Sequence, residues 1–177
     1  MSFSAELYAR ALEFAAQVHG EQKTPKGQPY VVHLTSVCME GIRALHAEPG
    51  RDGDLLVACA LLHDTLEDTS AQEAQVAREF GAAVAAGVRA LTKNDALPKA
   101  ERMGDSLSRI RAQPVEVAMV KLADRITNLA PPPPHWTPEK IRGYRKEAEE
   151  ILAALGPASA FLSARFAERL ARYPGGR

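Results

Sequence analysis

Residues 55–64 of the chain read LLVACALLHD, an apolar run of eight residues that ends in a histidine and an aspartate. We predict that this run forms a buried helix capped by Asp54, because aspartate side chains accept hydrogen bonds from the free N–H groups that begin a helix. A run of eight residues is far shorter than the ~20 apolar residues that a membrane-spanning helix needs. The segment therefore predicts a core helix of a globular protein, with polar groups at its carboxyl end.

The sequence on either side of this run has helical periodicity almost throughout. The first helix has Ser4 as its predicted N-cap and carries one apolar stripe, which is formed by Leu7, Ala11, Phe14, Ala15 and Val18. Further helices are predicted over about 30–46, from Thr69 or Ser70 to Phe80, over 82–91, 98–112 and 114–129, and from Thr137-Pro138 onward, with Gly156-Pro157 before a last helix that ends near Tyr173. We predict an all-α fold of about eight or nine helices. Residues 1–177 should form one domain, because the segment after the proline run 131–134 is too short to hold its own core.

The overall charge excludes one broad class of function. Lys and Arg number 22 together, as do Asp and Glu, so the formal net charge is zero, whereas nucleic-acid-binding proteins carry a basic surplus. Charged residues such as Glu6 and Arg10 interrupt the apolar pattern of the amino-terminal segment, which is unlike a signal peptide. We therefore expect a cytoplasmic protein with no nucleic-acid or membrane partner. Its two cysteines, Cys38 and Cys59, should be buried free thiols in a reducing compartment.

The stretch ALLHDTLEDTS (residues 60–70) is the first candidate for a chemical site. Burying the adjacent His63 and Asp64 without partners would cost several kcal/mol, so both must be satisfied. If helical geometry continues, Glu67 and Asp68 follow them at i+4, which places one imidazole and up to three carboxylates around one volume. Such carboxylates repel one another unless protons or a cation neutralise them, and a divalent metal ion does so directly. An acidic helix end beside a core histidine is the alternative.

Two further segments carry candidate ligands. In VKLADRITNL (residues 120–129), Asp124 lies among apolar residues and Asn128 follows at i+4 on the same face. This pair could supply one metal ligand and one hydrogen bond to a substrate, but an ion pair of Asp124 with Lys121 or Arg125 is the common alternative. In GQPYVVHL (residues 27–34), His33 stands in an apolar stretch, where a hydrogen-bonded core histidine is the simpler interpretation.

Together these segments supply two imidazoles and two carboxylates, from His33, His63, Asp64 and Asp124. Mixed nitrogen and oxygen ligands without a thiolate suit Mn²⁺, Fe²⁺, Zn²⁺ or Mg²⁺ with open positions for water. The spacing is unlike that of a compact zinc finger, so the predicted metal ion is catalytic rather than structural.

The order of these residues resembles that of the HD-domain metal-dependent phosphohydrolases. More closely, the motifs HGEQKTPKGQPYVVHL, ALLHDTLEDT and VKLADRITNL, with the later Trp136, Glu139-Lys140 and Tyr144, resemble the small alarmone hydrolases, relatives of the hydrolase half of the RelA/SpoT enzymes. The resemblance covers about residues 5–155, and its most specific part is HDxxED combined with KLADRxxNL. It implies an all-helical fold with one Mn²⁺ ion, and hydrolysis of the 3′-pyrophosphate of nucleotides such as ppGpp.

The resemblance also implies roles for individual residues. The implied metal ligands are His33, His63, Asp64 and Asp124. The carboxylates that would position and deprotonate the attacking water are Glu67 and Asp68. The implied substrate contacts are Asn128 at the ribose-phosphate, Lys93 near a phosphate, and Lys140 and Tyr144 along the nucleotide pocket. Because 177 residues leave no room for the synthetase half of the RelA/SpoT enzymes, we expect hydrolysis without synthesis.

One segment departs from the family pattern. Where the small alarmone hydrolases usually carry an Arg-Lys pair that frames the base or a phosphate, this chain has Thr24 and Pro25, with Lys23 and Lys26 displaced by one residue on each side. Arginine can stack on a purine and hydrogen-bond to guanine O6, whereas threonine offers one short hydroxyl and proline no N–H. Adenine alarmones, (p)ppApp, are therefore candidate substrates beside the guanine ones, and Lys23 or Lys26 could restore the missing contact.

Two other functions remain open at this point. A nucleotidase or other phosphohydrolase of the HD type would use the same ligands on another nucleotide, although Glu67, Asp68 and Asn128 favour the alarmone reaction. A helical nucleotide-binding module without activity would have a degenerate site, but all four proposed ligands are present.

Overall fold

The structure, a computed structural model, describes residues 3–176. Within this part of the chain there are nine helices of eight or more residues, one single-turn helix, one 3₁₀ turn and no strand. The helices are α1 (Ala5–His19), α2 (Val31–Ala47), α3 (Gly53–Leu62), α4 (Thr65–Asp68), α5 (Glu73–Phe80), α6 (Ala82–Leu91), α7 (Lys99–Arg111), α8 (Val115–Asn128), α9 (Pro138–Leu155) and α10 (Ala160–Arg172), and the 3₁₀ turn is Gly156–Ala158. The predicted all-α fold is confirmed.

Helix α3 is capped by Asp52 rather than by the predicted Asp54. The Oδ1 atom of Asp52 accepts a hydrogen bond from the N–H of Leu55 at 3.0 Å, while the N–H of Asp52 donates to Oε1 of Glu116 at 2.9 Å. Asp54 lies in the first turn of the helix, and its carboxylate accepts the N–H of Ser4 at 2.6 Å. The prediction was wrong because the cap is selected by a contact with a residue far away in the sequence.

Helix α5 begins later than the predicted start at Thr69 or Ser70. The hydroxyl of Thr69 accepts the N–H of Ala71 at 3.0 Å, and the backbone of Thr69 is extended. Gln72 is the N-cap, and its side chain and that of Gln75 bond reciprocally to the backbone of the first turn. A glutamine capping box thus replaces the expected hydroxyl cap.

Helix α3 lies at the centre of the protein. All its residues except Asp54 are buried, and it packs against α1, α2, α6 and α8. The buried apolar side chains form one core to which all nine longer helices contribute. The single domain predicted for residues 1–177 stays a prediction, which this shared core supports.

Two expectations from composition can be compared with the structure. Cys38 and Cys59 are buried free thiols, as predicted, and burial raises the pKa of each to about 12. Among residues 3–176, no helix combines the length and apolar character needed to cross a membrane.

Candidate active site

Helix α3 ends where the candidate site begins. Nδ1 of His63 donates to the carbonyl of Ala60 at 2.9 Å, and Oγ1 of Thr65 donates to the carbonyl of Leu62 at 2.7 Å. Side-chain bonds of this type also occur within the continuous helix α2, at Thr35, so they do not by themselves end α3; the backbone of Asp64, with φ −99° and ψ −2°, departs there from regular α-helical values. The helix stops at Leu62 and restarts as the single turn α4, so the continuous helix considered for residues 63–68 does not form.

The fold brings the four predicted metal ligands to one place. His33 comes from the first turn of α2, His63 and Asp64 from the end of α3, and Asp124 from α8. The donor atoms of His33, His63 and Asp64 all lie within 4.8 Å of one another. Oδ1 of Asp124 is 3.5 Å from Nε2 of His33 and 3.7 Å from Nε2 of His63, so the fourth predicted ligand faces the same space.

The geometry at His63 shows that this space suits a cation. A carbonyl group only accepts, so the bond from Nδ1 to Ala60 places a proton on Nδ1. Nε2 is buried, has no hydrogen-bond partner and lies 2.9 Å from Oδ2 of Asp64. A neutral imidazole would therefore set its lone pair against a carboxylate oxygen, a conflict that a proton or a metal ion relieves. Two imidazoles and two carboxylates are a donor set that fits a divalent metal ion.

The charges within the site shift the pKa values of acids and bases in opposite directions. Burial lowers the pKa of His63, but the carboxylates of Asp64 and Asp124 outweigh burial and hold this pKa well above its ordinary value. Burial also lowers the pKa of His33, and Asp124 and Asp64 again outweigh burial, so this pKa is raised as well. Burial raises the pKa of Asp124, but Lys121 and the two imidazoles hold it well below its ordinary value, and the imidazoles likewise lower the pKa of Asp64. Both carboxylates are therefore ionised at neutral pH and offer two negative charges to a cation.

Asp124 uses its two oxygens differently. Oδ1 faces the histidines and accepts a hydrogen bond from Nδ2 of Asn128 at 2.6 Å. Oδ2 lies 3.3 Å from Nζ of Lys121. The ligand interpretation and the ion-pair interpretation of Asp124 are therefore compatible, because each uses a different oxygen.

The two carboxylates of α4 have separate partners. Glu67 accepts from Nζ of Lys93 at 2.6 Å and from the N–H of Lys93 at 3.0 Å. Asp68 accepts from Nε2 of Gln22 at 3.0 Å. The roles of Glu67 and Asp68 in activating water, and of Lys93 in contacting a phosphate, stay predictions.

A cavity of about 570 Å³ adjoins the cluster of four predicted metal ligands. This volume lies within the range of about 300–1,000 Å³ that is usual for ligand pockets. His33 and Asn128 line the cavity, which therefore reaches both the ligand cluster and the side chain that holds Asp124. Other residues of its walls include Thr24, Pro25 and Lys26 of the loop before α2, the prolines 131–134, and the aromatic residues Trp136, Tyr144 and Tyr173.

The structure places the predicted substrate residues at different distances from this cavity. Three of them line it, namely Lys26, Asn128 and Tyr144. Lys140 does not line the cavity, but its Nζ lies 4.3 Å from the ring centre of Trp136, which does. Lys23 does not line the cavity and forms a backbone bridge with Pro29, while Lys93 is bound to Glu67. Substrate contacts by these six residues stay predictions.

Tyr173 is a cavity residue that sequence analysis did not single out. Its ring centre lies 5.8 Å from that of Tyr144, and its backbone is held by Arg145 of α9. Nη1 of Arg145 donates to the carbonyls of Leu170 and Tyr173, both at 2.7 Å. This position results from the packing of α10 against α9, for which no local sequence pattern exists.

The sequence is similar to known proteins along most of its length. A family profile described as HD domain matches residues 11–159. A guanosine-3′,5′-bis(diphosphate) 3′-pyrophosphohydrolase of Aquifex aeolicus is 35% identical over 156 residues, which are 85% of this chain and 21% of that protein. The protein of Mus musculus with the same description, MESH1, is 32% identical over 161 residues, or 88% of each chain.

A solved structure extends the similarity to three dimensions. It is described as a metazoan ortholog of SpoT that hydrolyses ppGpp and plays a role in starvation responses. It matches this fold with a TM-score of 0.82 at 27% identity, covering 99% of this chain and 100% of its own. The present chain therefore belongs to the HD-domain family and, within that family, to the SpoT-like hydrolases.

Proposed function

We propose that this protein removes the 3′-pyrophosphate from alarmone nucleotides, (p)ppGpp or (p)ppApp, with Mn²⁺ as its metal ion. The observation that carries the proposal is that one cavity is lined by His33 of the ligand cluster and also by an aromatic wall. A nucleotide in this cavity can place a phosphate group at the cluster and its base against the wall. The relatives described as 3′-pyrophosphohydrolases of guanosine-3′,5′-bis(diphosphate) support this class of substrate. Hydrolysis without synthesis stays a prediction.

The proposed reaction breaks the bond between the ribose 3′-oxygen and its phosphorus. The oxygen of water bonds to that phosphorus, pyrophosphate is released, and the 3′-oxygen takes up a proton to leave the 5′-diphosphate or 5′-triphosphate nucleoside. A metal ion held by His33, His63, Asp64 and Asp124 would supply Lewis acidity to the phosphoryl oxygens and lower the pKa of water.

The proton of the attacking water passes to a carboxylate of α4. Asp68 is well suited to accept it, because its partner Gln22 is a neutral amide and the carboxylate is exposed. Both oxygens of Glu67 accept hydrogen bonds from Lys93, so Glu67 is already engaged and holds a cation close to the cluster. That cation can offset the charge of the departing pyrophosphate.

The remaining cavity residues bind the nucleotide. Asn128 lies between Asp124 and the cavity, where its amide can hydrogen-bond to the ribose-phosphate. Trp136 and Tyr144 have ring centres 5.3 Å apart and present aromatic surface to the cavity, which suits contact with a purine.

The proposed function is tested by a side-by-side assay of ppGpp, pppGpp and ppApp with Mn²⁺, in which released pyrophosphate is measured. We expect one equivalent of pyrophosphate for each nucleotide consumed. Release of inorganic phosphate, or turnover of nucleoside monophosphates alone, would instead identify a nucleotidase. Binding without turnover after metal reconstitution would indicate a nucleotide-binding module.

We expect only a weak preference for guanine, with ppApp hydrolysed comparably to ppGpp or faster. Thr24 and Pro25 line the cavity; the side chain of Thr24 offers one hydroxyl and Pro25 has no N–H, so the wall lacks the donor fork of an arginine. Apolar contacts discriminate between two similar substrates by only about 1–3 kcal/mol. The measurement is kcat/KM for the two nucleotides. A guanine preference above about 100-fold, or about 2.7 kcal/mol at 1.36 kcal/mol per decade, would show that Lys26 or another group replaces the missing contact.

Metal-stripped protein should become more stable when Mn²⁺ is added. The ion binds only the folded arrangement of the four ligands, so free metal at 100 times its Kd should raise the free energy of unfolding by about 2.7 kcal/mol. Thermal melting of chelator-treated protein, with and without Mn²⁺, measures the shift. The absence of a shift at saturating Mn²⁺ would argue against a metal centre, and Mg²⁺ and Zn²⁺ in parallel compare the candidate ions.

A further inference from the structure

A second layer of side chains lies behind the ligand cluster and the carboxylates of α4. The hydroxyl of Tyr30 donates to Oδ2 of Asp64 at 2.6 Å, and this is the same oxygen that faces His63. The side-chain amide of Gln22 donates to Asp68 at 3.0 Å. Two residues outside the proposed reactive set thus each hold one carboxylate that belongs to it.

The amide of Gln22 has a defined orientation. Its Oε1 atom lies 2.7 Å from Nδ1 of His19, and an amide oxygen can only accept, so His19 donates. The amide nitrogen is therefore directed to Asp68. His19 is 5% exposed and its ring stacks on that of Tyr30, with ring centres 4.7 Å apart and planes 23° apart. His19 thus contacts both members of the second layer.

The loop between α1 and α2 brings the second layer together. Lys23 and Pro29 form an antiparallel bridge, and the N–H of Tyr30 donates to the carbonyl of Gln22 at 3.0 Å. Gly27 has a φ of +78° at the turn of this small hairpin, a conformation that favours glycine. Gln22 and Tyr30, the two positioning residues, therefore stand on opposite sides of this one turn.

We propose that Tyr30 and Gln22 are positioning residues with separable effects, Tyr30 on metal affinity through Asp64 and Gln22 on turnover through Asp68. This inference rests on the proposed function, since it uses the roles given there to Asp64 and Asp68. Each carboxylate oxygen has two lone pairs, so the hydroxyl of Tyr30 can occupy one of them and leave the other directed at the cluster. Gln22 instead restricts the rotation of an exposed carboxylate that no metal ion would hold.

The effect of Tyr30 is tested by Tyr30→Phe, which keeps the ring and its stacking on His19 but removes the hydroxyl. Calorimetric titration of the metal-stripped protein with Mn²⁺ should give a Kd about 10–100-fold weaker than that of the wild type, as is typical when a residue that supports a metal ligand is lost. Activity should recover largely at saturating Mn²⁺. Tyr8→Phe is the matched control, because Tyr8 packs in the core away from the cluster, and it should leave the Kd unchanged.

The effect of Gln22 is tested by Gln22→Met, which keeps the length of the side chain, and by Gln22→Glu, which cannot donate to Asp68. Both should lower kcat about 10-fold or more at saturating Mn²⁺ and change the Kd of Mn²⁺ less than 3-fold. Gln17→Met, on the exposed side of α1, is the control and should leave both quantities unchanged.

The proposal is decided by whether the Kd of Mn²⁺ and kcat change separately in the two variants. If Tyr30→Phe and Gln22→Met weaken metal binding and turnover to the same extent, or if neither changes either quantity, the proposal is overturned. If the wild type hydrolyses no alarmone, the proposed function fails, but the Mn²⁺ titration of Tyr30→Phe still tests the positioning of Asp64 separately.

Discussion

Asp64→Ala is expected to lose metal binding and hydrolysis together. Oδ2 of Asp64 lies 2.9 Å from Nε2 of His63 and 3.6 Å from Nε2 of His33, so this carboxylate contacts both proposed imidazole ligands. Its removal takes away one ligand and one of the two negative charges that balance the cation. We expect no stoichiometric Mn²⁺ in calorimetric titration. We also expect a fall in kcat/KM of about 1,000-fold or more, which corresponds to about 4 kcal/mol of transition-state stabilisation.

The comparison of Asp64→Ala with the wild type needs a control variant that loses a carboxylate elsewhere in the protein. Asp95→Ala removes an exposed aspartate that pairs with Arg102 outside the cluster, and it should leave metal content and kcat/KM unchanged. Circular dichroism spectra should show folded protein for both variants. Stoichiometric Mn²⁺ in Asp64→Ala would remove Asp64 from the set of metal ligands.

Asp68→Asn and Glu67→Gln should keep the metal ion but lose turnover. Each change preserves the shape of the side chain while it removes the basic oxygen, and proton transfer to a positioned carboxylate contributes about 100- to 10,000-fold to rates. We expect a decrease of kcat in this range for Asp68→Asn. The decrease for Glu67→Gln should be smaller, because Lys93 already binds both oxygens of Glu67. Steady-state kinetics at saturating Mn²⁺, with metal content measured on the same samples, checks both expectations.

A carboxylate outside the proposed site provides the control for the kinetics of Asp68→Asn and Glu67→Gln. Glu73→Gln alters an exposed glutamate at the start of α5, whose nearest cation is Arg89 at 3.8 Å, and it should retain wild-type kinetics. Wild-type rates in both Asp68→Asn and Glu67→Gln would exclude both residues as the base. Loss of metal in either variant would make that residue a ligand instead.

Several features could be predicted from the sequence because they depend on neighbouring residues. Ser4 caps α1 as predicted, and Thr137, where a helix was predicted to begin, caps α9; in each case the side chain accepts the N–H three residues further along. Asp124 and Asn128 share a face because α8 runs uninterrupted between them. Helical periodicity and cap chemistry are local, so the sequence contains what is needed to recognise them.

The rest depends on contacts between distant parts of the chain. Asp52 is preferred to Asp54 as the cap of α3 because its N–H meets Glu116, which is 64 positions away. Gln22 meets Asp68 across 46 positions, and Tyr30 meets Asp64 across 34. The break after α3 lies at the backbone of Asp64, a departure that periodicity does not reveal. Sequence motifs thus indicated the proposed ligands, but not the residues that hold them.

Tyr173, a residue of the cavity wall, is attached through Arg145 to α9, a helix that carries none of the proposed metal ligands. One wall of the cavity is set by how α10 docks on α9, whereas the proposed metal ligands lie on α2, α8 and the end of α3. None of the proposed ligands or bases lies on α9 or α10, although both helices also pack against α8, which carries Asp124. Substitutions where Arg145 meets the end of α10 are therefore a route by which the shape of the cavity, and with it the proposed substrate range, can change without replacing a proposed reacting group.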